Sequence, residues 1–329
     1  MPLIESDALF VVQRCRRIQP MRVTRNSSDV VPGETAVTIG NFDGVHRGHQ
    51  AVLALLMDQA RQRRLRPCVV TFEPHPREFF APDAAPTRLT SLREKLELLS
   101  GQGVQQVHVC RFDYDFARRT AQAFIEETLV RQLGARWVMI GDDFRFGARR
   151  QGDYDLLRSS GGALGITVAR MATASADGVR ISSTRIRQAL EAGELERAAE
   201  LLGRRYAMSG RVIQGARLGG TLGFPTANLR VRHNRPPMMG IFVVEVQGLV
   251  AGTALPGVAS LGLRPTVEAG GQALLEVHLL DFSGDLYGKH IRVVFLKKLR
   301  DEEKYPDLET LKRQISRDAE DARQYFATH

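Results

Sequence analysis

Two histidines three residues apart, His46 and His49, sit in the segment Thr38-Ile-Gly-Asn-Phe-Asp-Gly-Val-His-Arg-Gly-His49. An apolar run precedes them, glycines punctuate the turn, and a helical pattern follows. A spacing of three places both imidazoles on one face of a first helical turn. Gly40 and Gly44 permit the tight backbone that such a turn needs, and Gly48 leaves room for a ligand to approach the chain. Free N–H groups and the positive end of a helix dipole make this turn an anion site. Imidazoles placed there donate hydrogen bonds to phosphate oxygens as charge builds in a transition state. A metal pair or two surface residues are the alternatives. Zinc is better served by a spacing of four and a third ligand, and no third ligand is evident.

A second constellation lies far downstream. Gly215, Gly219, Gly220 and Gly223 make a loop whose backbone can approach phosphates, and Pro225 then holds the chain extended. In an extended strand Thr226 and Asn228 point to the same face. A hydroxyl and an amide oxygen so placed suit Mg²⁺ that also meets phosphate oxygens; taken alone, Pro-Thr-x-Asn is equally a turn motif. In Leu274-Leu-Glu-Val-His-Leu-Leu280 an apolar strand is interrupted by Glu276 and His278 on one face. A carboxylate among so many leucines needs a partner or a task, unless it faces water from an edge strand.

Three shorter segments could line such sites. Arg180-Ile-Ser-Ser-Thr-Arg185 brings hydroxyls and cations to a helix start, where a plain N-cap with solvated arginines is the bland reading. In Gly141-Asp-Asp-Phe-Arg-Phe-Gly147 two carboxylates follow a strand end, and Phe144 and Phe146 can pack against a ring. His75 is held between Pro74 and Pro76, as a nucleotide contact or a structural turn.

The elements that must carry these residues fall into two textures. Short β-branched runs at 36–39, 69–72, 107–109, 138–140 and 166–169 alternate with helical patterns near 45–64, 91–100, 120–133 and 154–160. Ser91 and Glu94 form a capping box for the second of these helices. Alternation predicts a parallel sheet covered on both faces, with ligands at the carboxyl ends of its strands. Two helical patterns, 183–192 and 194–202, close this part. From Tyr206 onward, strand-like runs near 207–214, 225–231, 240–250, 253–262, 273–281 and 290–297 follow one another without helices, as in a small antiparallel barrel or sandwich. A last helix over 307–326 should pack Leu308, Leu311, Ile315, Ala322 and Phe326 onto it. The boundary falls near Gly203, dividing the chain into 1–203 and 204–329.

Composition narrows the class. A chain of 329 residues with 43% hydrophobic and 25% charged content can bury two ordinary cores. No apolar run approaches the roughly 18 residues a membrane span needs, and the first thirty residues lack a signal-peptide core. Cys15, Cys68 and Cys110 suit buried thiols of a reducing compartment, so a cytoplasmic location is expected. The net charge of +9 is spread over both parts. It fits polyanionic small substrates and lacks the clustered footprint of a nucleic-acid binder.

The string Gly40-Asn-Phe-Asp-Gly-Val-His-Arg-Gly-His49 resembles the His-x-Gly-His motif of nucleotidylyltransferases. Within them it is similar to the prokaryotic bifunctional riboflavin kinase/FMN adenylyltransferases. Thr71-Phe-Glu-Pro-His-Pro76, Gly141–Gly147 and Val179-Arg-Ile-Ser-Ser-Thr-Arg-Ile-Arg187 agree in order and spacing. Pro225–Asn228, Glu276-Val-His-Leu-Leu-Asp-Phe282 and Asp285-Leu-Tyr-Gly-Lys289 resemble the flavokinase domain of the same family. The resemblance implies a Rossmann-like α/β nucleotidylyltransferase domain followed by a flavokinase-like barrel with a C-terminal helix.

It further implies that riboflavin is phosphorylated to FMN in the second domain and FMN adenylylated to FAD in the first. ATP would be co-substrate and Mg²⁺ the cofactor. Gly40, Asn41, Phe42, Gly44, His46, His49, Arg180, Ser183, Thr184 and Arg187 would bind ATP for adenylylation, with His46 and His49 catalytic. His75, Asp143 and Phe144 would line the flavin or nucleotide. Gly215, Gly219, Gly223, Thr226 and Asn228 would bind ATP for the kinase, with Thr226 and Asn228 on the metal and Glu276 as base. Gly220 stands where many family members carry a basic residue. Partners would be riboflavin, FMN and ATP, with neither nucleic acid nor membrane and at most a weak homo-oligomer. The rival readings are an adenylyltransferase for another phosphorylated acceptor, whose second domain only binds ligand, and a flavin-sensing regulatory or RNA-binding protein.

Overall fold

The computed structural model describes residues 21–25, 33–171, 175–176, 179–214, 224–231, 235–264 and 272–329. In the first part, strands β1 (Arg22–Thr24), β2 (Thr35–Ile39), β3 (Arg66–Glu73), β4 (Gln106–Arg111), β5 (Ala135–Gly141) and β6 (Thr167–Met171) form one sheet in the order β1-β4-β3-β2-β5-β6. All five pairings are parallel. Because both faces are covered, the strands read as near-continuous apolar runs: every residue of β2 is buried.

One face of the sheet packs on α1 (Arg47–Gln62) and α3 (Leu92–Gly101), through Leu53, Leu56 and Leu99. The other packs on α5 (Ala121–Ala123), which runs on into a π-helical stretch, Phe124–Gln132, and on α6 (Tyr154–Ala163). Two short helices between these, α2 (Pro76–Phe80) and α4 (Tyr114–Ala117), sit beyond the ends of β3 and β4. Strand β1 and helix α2 had no periodic signal. Three and five residues are too few to show one, and β1 exists because β4 offers it an edge.

The chain moves outward from β2 to β3 and β4, then returns to the other flank of β2 with β5. That reversal opens a crevice at the carboxyl ends of β2 and β5, the place where such sheets bind ligands. A two-stranded ribbon, β7 (Ser175–Ala176) and β8 (Val179–Arg180), leads to α7 (Ser183–Glu191) and α8 (Leu195–Leu202). Gly203 ends α8 in the left-handed conformation.

Strands β9 (Ala207–Ile213), β10 (Thr226–Arg230), β11 (Gly240–Val250), β12 (Thr253–Arg264), β13 (Gln272–Leu279) and β14 (His290–Arg300) then close a barrel in the order β10-β13-β12-β11-β14-β9. Closure removes the sheet edges that a sandwich would leave. Helix α9 (Leu308–Thr328) lies on the outside of the barrel through Ala319 and Ala322, against Val243, Leu280, Val294 and Leu296. The expected stripe is shifted: Leu308 is exposed, and Asp318 is buried instead. Arg300 holds its carboxylate at 2.9 and 2.7 Å.

The two parts share one core. Leu89, Ile186, Leu190, Leu195 and Leu202 pack with Tyr206, Met208, Phe242 and Phe295. Polar contacts reinforce the seam. Tyr206 Oη donates to the Leu89 carbonyl at 3.2 Å, and Ser209 donates twice to Glu94 Oε1.

Candidate functional sites

The turn after β2 is built around a buried carboxylate. Asp43 accepts from the Leu89 and Thr90 amides and the Thr90 hydroxyl at 3.0–3.1 Å, and from Arg187 Nη2 at 2.6 Å. Arg187 Nε also donates to the Thr87 carbonyl, while Ser183 Oγ donates to the Asp43 carbonyl at 3.0 Å. Arg204 donates to the carbonyls of Gly44 and Val45. These bonds hold a strained loop, since Phe42 and Val45 have φ of 48° and 39°. Such residues cost on the order of 1–3 kcal/mol each unless the surroundings enforce them. Gly44, at φ 80°, lies where a Cβ would stand 2.9 Å from Leu89 Cδ1. Gly40 does not need its conformational freedom. Its missing Cβ makes way for the Phe42 ring.

His46 caps α1, its Nδ1 accepting from the His49 amide at 3.2 Å. An accepting Nδ1 leaves the proton of the neutral ring on Nε2. The two imidazoles stack, centroids 3.6 Å apart and planes 15° from parallel. Burial pushes His46 down to about 4, with Arg204 and Arg187 adding to the fall against Asp43. Burial, then His46 and Lys95, hold His49 well below the usual histidine range. Both rings are therefore neutral donors at pH 7. Among the described residues no cluster of three or more His, Cys, Asp and Glu could hold a metal.

Across the crevice, His75 caps α2 and accepts from the Arg77 amide, and Glu78 completes the capping box. Glu73 and Glu78 both pair with Arg88. Burial lowers the His75 pKa. Asp143 is exposed in the turn after β5, and Phe144 stacks on Phe146 at 5.7 Å. Ser182, rather than the hydroxyls that follow it, caps α7, and Thr184 is exposed. The Arg180 side chain lies outside the described residues, as do Gly215, Gly219, Gly220 and Gly223.

An aromatic patch escaped the sequence reading. Phe79, Phe80, Phe112 and Tyr114 meet edge to face at 4.9–5.6 Å, and Phe80 and Tyr114 are 68% and 72% exposed. They follow β3 and β4 on the functional edge of the sheet. The Phe-Phe pair beside His75 was the available signal.

On the barrel, Ala227, Leu229, Leu275 and Val277 point into the core, so Thr226, Asn228, Glu276 and His278 face outward together. Register pairs Asn228 with Glu276 and Thr226 with His278; Ser260 on β12 stands on Glu276's other side. His278 Nδ1 is 3.0 Å from the Pro225 carbonyl. Asn228 is buried, and its Oδ1 has no hydrogen-bond partner. An orphaned amide oxygen beside a threonine hydroxyl and a carboxylate is a hard, all-oxygen donor set, which fits Mg²⁺.

Comparison with known proteins identifies a family for each part of the chain. The family model described as FAD synthetase matches residues 29–185, and that described as riboflavin kinase matches residues 202–326. The bifunctional riboflavin kinase/FMN adenylyltransferase of Escherichia coli strain K12 is 50% identical over 306 residues, covering 93% of this chain and 97% of that protein. Its namesake from Pseudomonas fluorescens is 46% identical over 286 residues, covering 87% and 91%. A crystal structure described as a macrolide-efflux protein from Streptococcus pneumoniae shares the fold, with a TM-score of 0.75 at 29% identity, over 92% of this chain and 98% of its own. No helix among the described residues is long and apolar enough to cross a membrane.

Proposed function

The chain belongs to the bifunctional riboflavin kinase/FMN adenylyltransferase family, and from that premise we propose how its two sites divide the work. The barrel transfers the γ-phosphoryl of ATP to the riboflavin 5′-hydroxyl, giving FMN and ADP. The α/β domain transfers the adenylyl group of a second ATP to FMN, giving FAD and pyrophosphate. The observation that carries this reading is the presence, in one chain, of a strand–turn–helix bearing the stacked His46 and His49 rings and of a separate barrel face pairing Asn228 with Glu276.

In the first domain an FMN phosphate oxygen attacks the α-phosphorus in line, and the bond to the bridging oxygen of pyrophosphate breaks. No protein nucleophile is needed, only alignment and charge stabilisation. Nε2–H of His46 donates to a phosphate oxygen, and His49 supports it through the stacked ring. Gly40, Asn41, Phe42 and Gly44 shape the turn; Arg180, Ser183 and Thr184 meet the phosphates. Arg187 acts through Asp43, which it holds at 2.6 Å. His75, Asp143 and Phe144 line the nucleotide, and the exposed Phe80–Tyr114 patch offers the isoalloxazine an apolar face.

In the barrel Glu276 takes the proton of the attacking hydroxyl. Thr226 and Asn228 would hold Mg²⁺, which when bound neutralises charge on the ATP phosphates. The loop with Gly215, Gly219 and Gly223 cradles those phosphates. This reading places the enzyme in the cytoplasm, divides it at residues 203 and 204, and gives it small-molecule partners rather than nucleic acid or membrane. Incubating the protein with riboflavin, ATP and Mg²⁺ and resolving flavins over time tests it. FMN should rise first and FAD afterwards; absence of either product refutes the corresponding half.

A further inference from the structure

We infer that Lys95 is a further catalytic residue of the adenylyl-transfer site, its ammonium contacting a nucleotide phosphate oxygen at the reacting centre. This deepens the function proposed above and rests on it.

Lys95 lies on the sheet-facing side of α3, where only it and Leu99 are buried. At 5% exposure it is among the few buried charged side chains described. Among the described residues its ammonium makes neither a hydrogen bond nor an ion pair. The carboxylates around it, Asp43, Glu73 and Glu78, are engaged elsewhere: Asp43 by Arg187, and Glu73 and Glu78 by Arg88. The cluster is neutral overall, yet the arginines make its close contacts and Lys95 makes none. Burial accordingly lowers the lysine's pKa despite the three acids. A buried cation without a bonded counter-ion is costly, and such a cost persists where a ligand supplies the missing charge.

The position of the group indicates which ligand. The Leu89 and Thr90 amides that hold Asp43 come just before α3, so Lys95 lies one turn into a helix that starts at the phosphate-site turn, and its charge also lowers the pKa of His49 and His75. Nearby, His49 Nδ1, Asn41 Oδ1 and Glu73 Oε2 are also buried without partners. The set is one of polar groups awaiting an occupant rather than a completed network. A phosphate of the acceptor or of ATP would give the ammonium its partner. As the FMN oxygen bonds to the α-phosphorus and pyrophosphate departs, Lys95 would offset charge on the phosphoryl oxygens without giving up its proton.

The test compares Lys95→Met and Lys95→Arg with the parent chain. Kinase turnover at the barrel serves as a folding control. For Lys95→Met we expect FMN adenylylation to fall about 100-fold or more, as for loss of one transition-state donor. Kinase turnover should be kept, and the melting temperature of the unliganded protein should not be lowered. Lys95→Arg should recover part of the loss. Thermal shifts with ATP alone and with FMN alone assign the phosphate, because the stabilisation lost in Lys95→Met belongs to the nucleotide that Lys95 holds. Adenylylation within threefold of the parent overturns the inference. So does a loss of adenylylation that accompanies a lowered unliganded melting temperature, which marks Lys95 as a structural counter-charge to Glu73 and Glu78. If the parent chain itself makes no FAD, the functional reading fails instead.

Discussion

Asn228 and Glu276 stand directly opposite each other on β10 and β13, on the outer wall of the barrel. Cross-strand neighbours have Cβ atoms about 5 Å apart, so an orphaned amide oxygen and a carboxylate share one small space.

Asn228→Ala removes the amide oxygen proposed as a Mg²⁺ ligand, without touching the α/β domain. The Mg²⁺ concentration giving half-maximal FMN formation should rise about 10-fold or more, the usual cost of a lost metal contact. Titrating Mg²⁺ against kinase rate checks this, with FAD formation from supplied FMN unaffected.

Asp43 should matter to adenylylation through the turn it holds together. Asp43→Asn leaves Arg187, whose side chain is 17% exposed, without its charge partner. Breaking such a pair costs about 3 kcal/mol. The melting temperature of the α/β domain should drop by several degrees, and FAD formation should fall more steeply than FMN formation. Gly44→Ala should act in the same direction, since φ is 80° and Leu89 blocks the Cβ.

His46 gives the pH dependence a sign. Its folded pKa, about 4, lies below the unfolded value near 6.5, so the unfolded chain binds the proton more readily. Its contribution to stability is complete above about pH 6.5 and is lost as pH falls toward 4. Side-chain NMR should find the His46 and His49 resonances unmoved between pH 7.5 and 5.5. A His46 titration midpoint near 6.5 would contradict the neutral-donor assignment.

What the sequence disclosed depended on range. The turn at Gly40–His49 was legible because its glycines, histidines and helix start lie within ten residues, where spacing maps onto geometry. The barrel strands were legible for the same reason. Asp43 is in the same motif, yet its role was hidden, because its partners Leu89, Thr90 and Arg187 are 46 to 144 positions away. Lys95 reads as one more charge on an amphipathic helix, and only the packing of α3 turns it inward. Leu308 fitted the helical stripe of α9, but the barrel wall meets that helix further along, through Ala319 and Ala322.

The central claim is that one chain holds two separable phosphate-transfer sites, and the most direct measurement is a pairwise complementation. Glu276→Gln alone should form no FMN from riboflavin while adenylylating supplied FMN at the parent rate. His46→Ala with His49→Ala should form FMN and stop there. Mixed with riboflavin, ATP and Mg²⁺, the two variants should together yield FAD. Normal FMN formation by Glu276→Gln, or loss of both activities in either variant, would contradict the account.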